Sequence, residues 1–247
     1  MSAWREAFRA MRMQLAAAVW AGTLMLIMLG MLWLQIPDSH IWEFAFSILF
    51  ACGLLALFFW CCSWVFKRVL KPAEKERWWL QWILLAAVII AWWLLQVPIG
   101  RLLEHRELYA GYWTSQLPHW LRGARTYEHL VVLQDCVYFS LRLVVTGLLL
   151  PVAIVAGASR LRGSVERIFG VWLQWWYWVA ALVCGWIAFA LSDKLLNWIP
   201  GHGLGAEMLS LFVRLGCVFT LDVFLACFVL AVIVVGLRRS ESSQISE

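Results

Sequence analysis

Six runs of about 20 or more predominantly apolar residues recur along this chain, each long enough to cross a bilayer core of roughly 30 Å. They cover residues 15–36, 44–66, 78–97, 130–158, 168–191 and 208–237. In lipid every peptide group needs a partner within the protein, so a spanning segment is a helix or part of a closed barrel. Barrel strands read as segments of about ten residues alternating between apolar and polar, whereas these runs are apolar all round. The sequence therefore predicts an all-α polytopic membrane protein, a single membrane domain over residues 1–247 with six transmembrane helices. Composition agrees, since 64% of the residues are hydrophobic and 14% charged, a balance that would leave a soluble domain with too much exposed apolar surface.

The net charge of +5 is distributed in a way that points to topology rather than to nucleic acid. Arg5, Arg9 and Arg12, then Lys67, Arg68, Lys71, Lys75 and Arg77, then Arg160, Arg162 and Arg167, and finally Arg238 and Arg239 place 13 basic residues on one side. Arg101, Arg106, Arg122, Arg125 and Lys194 place five on the other. The excess of basic residues in inward-facing loops then predicts both termini in the cytoplasm, with a bacterial inner (plasma) membrane as the expected location. The expected partners are the lipid bilayer, other membrane subunits, and a small polar solute or ion.

The first span reads as a signal-anchor, because "LQIPDSH" after it lacks a small-x-small cleavage site. Ahead of it, Trp4, Phe8, Met11 and Leu15 fall at helical spacing among arginines. Two readings fit: an amphipathic helix resting on the inner leaflet, or an extension of the first span. The 19 tryptophans concentrate near predicted span ends, as in Trp78, Trp79, Trp92 and Trp93, where they serve as interfacial anchors. All seven cysteines lie within the spans, so no disulfide framework is implied.

The odd-numbered spans end in "LQIP", "LQVP" and "NWIP", at Pro37, Pro98 and Pro200, which predicts helix stops at the outer interface. "WLQW" occurs at Trp79–Trp82 and Trp172–Trp175, and the even-numbered spans share "FSIL", "FSLR" and "FTLD". These matches predict three helical hairpins that repeat one plan. Mitochondrial carriers place an acid two positions after each proline and a base three beyond that, and "DSHIW", "IGRLL" and "GHGLG" have neither at those positions. Residues 98–129 form the longest loop, and its apolar content predicts short interfacial helices, followed after the last span by a tail at 238–247.

The charges within spans carry the functional expectation. At 100° per residue, Glu128, Asp135, Tyr138, Arg142 and Thr146 occupy an arc of about 80° on the fourth span, and Glu207, Ser210, Arg214, Cys217 and Asp222 one of about 140° on the sixth. A charge facing lipid costs at least about 2.5–3.5 kcal/mol, so each stripe is expected to face protein or water. Arg142 and Asp222 lie 18 and 16 residues before the inner basic residues Arg160 and Arg238, and Asp135 and Arg214 lie 25 and 24 before them. Adjacent fourth and sixth spans are therefore expected, joined by Arg142–Asp222 and Asp135–Arg214 rungs. Such a ladder is either part of an outward-opening polar cleft that moves an ion or small polar solute, or interhelical glue in a scaffold or accessory subunit.

All five histidines lie on the predicted outer side. His105, His129 and His202 are weak candidates for a metal site beside outer carboxylates, with no i, i+4 ligand pair to strengthen them. No cofactor is expected. The sequence carries no H-E-x-x-H, G-x-S-x-G or P-loop, and the reading leans away from an enzyme.

Overall fold

The computed structural model describes residues 3–11, 13–36, 40–70, 78–122, 124–158, 165–198 and 204–245. Nine α-helices account for most of these residues: α1 (Ala3–Ala10), α2 (Met13–Trp33), α3 (Ile41–Leu70), α4 (Trp78–Glu104), α5 (Arg106–Gln116), α6 (Ala124–Ala158), α7 (Val165–Trp172), α8 (Trp175–Asn197) and α9 (Leu204–Ile245). Six of them, α2, α3, α4, α6, α8 and α9, are long and apolar enough to cross a membrane, which agrees with the six predicted spans. Pro37, Pro200, His202 and the basic residues Arg12, Lys71, Lys75, Arg77, Arg160 and Arg162 lie outside the described residues.

The spans pair as sequential hairpins: α2 packs on α3, α4 on α6, and α8 on α9. Contacts of α3 with α6, α6 with α8, and α9 with α2 join the hairpins into one body. The expected adjacency of the fourth and sixth spans is not what the packing gives. Helix α8 packs against both α6 and α9, and those two do not pack along each other. Small residues explain this order. A Cβ at Gly147 would lie 2.9 Å from the Trp178 ring, and one at Gly185 would run into Leu143, so only glycine lets α6 and α8 approach this closely.

Two expectations about helix ends are corrected. Helix α4 does not stop at Pro98 but continues to Glu104, and α6 likewise contains Pro151. Proline removes one backbone donor, and neighbouring helices supply enough packing to carry the chain on. The fifth span begins at Trp175 rather than at residue 168, because the chain breaks at Leu173–Gln174. The break is satisfied locally: Trp178 Nε1 donates to Trp172 O at 2.8 Å, and the Gln174 and Tyr177 amides bond Val171 O and Gln174 O. The two "WLQW" copies consequently differ, one lying inside α4 and the other straddling the α7–α8 break.

Helix α1 is a separate element docked on α9 rather than a continuous extension of the first span. Ala7 is fully buried, Trp4 stacks on Phe228 with centroids 6.3 Å apart, and Arg239 donates to Glu6 Oε2 at 2.6 Å. Loop 98–129 holds α5, which packs along α6 and buries Ala110, and a short 3-10 turn at His119–Leu121.

The buried core sits at one end of the bundle. It combines Ile154 and Val155 of α6, Ile168 and Val171 of α7, Tyr177 of α8, and Val232 and Ile233 of α9. At that end Ser63 Oγ donates to Gly157 O (2.9 Å) and Gln81 Nε2 to Ala158 O (3.4 Å), so α3 and α4 satisfy the last carbonyls of α6. By contrast, the most apolar stretches of α2 and α3 contain no buried residue, so these helices present side chains outward on most of their circumference.

Candidate functional site

No charge of the expected ladder meets the partner its depth predicts. Asp135 Oδ1 accepts from Arg106 Nη1 at 2.9 Å, with both side chains about two-fifths exposed. Arg106 opens α5, where the helix dipole disfavours a cation, and the Asp135 carboxylate offsets that. The Asp135–Arg214 rung is therefore replaced by a contact that fastens α5 to α6. Residue counting along the spans omitted Arg106 because it placed that arginine in a loop.

Arg214 is buried and turns toward α8. Its Nη1 donates to the carbonyls of Leu195 (3.4 Å), Leu196 (3.2 Å) and Trp198, and its Nε to Ser210 O (3.2 Å). Helix α8 ends at Asn197, so these are the carbonyls that the helix leaves without intrahelical donors. A guanidinium there also meets the negative end of the helix dipole. Arg214 is a C-terminal cap supplied by a neighbouring helix.

Arg142 and Asp222 form no ion pair in the structure, which is the second correction to the ladder. The Arg142 guanidinium lies against α4, where Nη2 is 3.3 Å from the position a Cβ on Gly100 would take. Around it a polar cluster joins α4 to α6. Gln96 Nε2 donates to Arg142 O (3.3 Å) and to Thr146 Oγ1 (3.5 Å), and Trp92 Nε1 donates to Thr146 Oγ1 (3.0 Å). Arg142 Nε is buried without a hydrogen-bond partner, and so is Asp222 Oδ1 on α9. Nearby on α9, Thr220 Oγ1 accepts from Trp20 Nε1 (3.3 Å), and Phe219 meets the Trp20 ring at 5.6 Å.

Glu128 on α6 and Glu207 in the first turn of α9 are exposed, and Tyr138 is half-buried on α6. His105 and His129 are exposed, and among the described residues no three of His, Cys, Asp and Glu converge as metal ligands. The sequence reading followed polar side chains only along the fourth and sixth spans. Gln81, Gln96, Ser63 and Tyr177 are the polar groups it missed, and their signal was simply their presence inside apolar runs. Tyr177, fully buried, donates to Gly147 O at 2.5 Å and ties α8 to α6.

Compared with known protein families, curated proteins and solved structures, this chain matches none.

Proposed function

We propose that this protein is a non-catalytic membrane scaffold or accessory subunit whose intramembrane polar groups fasten its own helices. One observation carries this reading: Asp135 and Arg214 both contact elements of the same chain, Asp135 fixing α5 on α6 and Arg214 capping α8. Outward-facing apolar surface on α2 and α3 leaves room for other membrane subunits. The distribution of 13 basic residues against five supports an orientation with both termini cytoplasmic, in a bacterial inner membrane. Whether the three hairpins descend from one repeated unit has no bearing on this role.

A second reading, movement of an ion or small polar solute, is favoured by Arg142 Nε and Asp222 Oδ1, buried polar atoms without partners at functional depth. Reconstitution into proteoliposomes separates the two. The scaffold reading expects proton, cation and anion fluxes equal to those of protein-free vesicles. It also expects the swap Arg106→Asp with Asp135→Arg to restore the thermal stability that either single change lowers. A flux above background that Asp222→Asn abolishes would replace the scaffold with a transporter.

A further inference from the structure

A polar cavity lies away from all these charges, at the end that holds the buried core. It is a pocket of about 260 Å³ between the α1–α2 segment, α3 and α9. Among the described residues, the charged side chains lining it are Arg9, Arg68 and Arg238, joined by the polar Gln14. Each reaches the pocket from a different element. Arg9 is brought there by the docking of α1 on α9 through Ala7 and the Glu6–Arg239 ion pair. Arg68 stands over the Trp64 ring, 5.8 Å from its centroid, and Arg238 projects from the far end of α9.

A second pocket of about 230 Å³ shares Trp64 and Leu230 with the first and continues between α2 and α3. Its lining is almost wholly apolar, including Val19, Gly22, Leu26, Phe58 and Val65. Along α2 the two compartments run from Gln14 to Leu26, about 18 Å at the helical rise of 1.5 Å per residue. A cationic mouth leading into an apolar slot of that depth is complementary to an anionic head bearing a hydrocarbon chain.

We infer that this composite groove binds an anionic phospholipid, with its phosphate among Arg9, Arg68 and Arg238 and one acyl chain in the slot between α2 and α3. Arg68 and Arg238 bring two guanidiniums to one pocket, and a phosphate there accepts several charge-assisted hydrogen bonds. Basic pockets between transmembrane helices are known to suit phospholipid heads for this reason. The bound lipid fills the space between the first hairpin and α9. Its headgroup binding is independent of whether the protein is a scaffold or a transporter.

The test uses the full chain purified and delipidated in neutral detergent. Phosphatidylglycerol and phosphatidylcholine are added separately, and bound lipid is measured by native mass spectrometry. Phosphatidylglycerol should be retained in preference, and Arg68→Gln combined with Arg238→Gln should lower its retention by roughly tenfold or more. A Cβ at Gly22 meets nothing within 4 Å, so Gly22→Trp fills the slot from open space and should also displace the lipid without altering charge. Equal retention of the two lipids overturns the assignment, as does unchanged retention in both the arginine and the Gly22 variants. Inorganic phosphate is the third arm. If it displaces the lipid completely at millimolar concentration, the apolar slot contributes nothing and the ligand is a free anion instead.

Discussion

At the residue scale, position on a helix face predicted that polar side chains avoid lipid, but not which partner each one takes. Arg214 shows the difference. Its depth matches Asp135, yet three carbonyls at the end of α8 lie within reach and need donors more than a carboxylate that already has Arg106. Removing it leaves those carbonyls without the donor that caps them. Arg214→Met should therefore destabilise the protein by about 2–3 kcal/mol, the scale of a hydrogen bond to a charged group. The check is thermal unfolding in detergent, with Glu207→Gln as an exposed control expected to change little. If Arg214→Met melts like the control, the capping role is wrong.

At the element scale, glycines decide which helices meet. A Cβ on Gly157 would overlap the Phe66 ring, and the Gly157 carbonyl already accepts from Ser63, so α3 and α6 touch there with no space to spare. Gly157→Leu should push these helices apart at a cost of about 1–3 kcal/mol. Pairing it with Phe66→Ala should recover part of the loss, read as the unfolding temperature of single and double variants. A double variant no better than Gly157→Leu alone would show that the contact is not the cause. The break between α7 and α8 belongs to this scale too. Hydropathy runs straight through Trp172–Trp175 and so predicted continuity, whereas burial of Ile168 and Val171 against α9 turns α7 aside as a separate short helix. An amphipathic helix beside a span is invisible to a pattern that scores only apolar length.

At the scale of the whole molecule, orientation is the property most open to direct measurement. The native cysteines lie within spans, so an introduced surface thiol reports its side cleanly with a membrane-impermeant maleimide. Ser115→Cys on exposed α5 should label in intact cells, and Val165→Cys at the exposed start of α7 should label only after the membrane is opened. The opposite pattern would invert the topology. Apolar run length alone determined the helical class and the number of spans, because lipid forces every backbone group into internal hydrogen bonds wherever the chain crosses. Which span touches which, and which charge meets which partner, was decided by the tertiary structure. Those choices depend on how closely two backbones can approach at Gly147, Gly157 and Gly185, and on which unpaired carbonyl a long guanidinium can reach. Residue spacing along a single helix fixes depth and face, but it holds no information about the helix that will stand opposite.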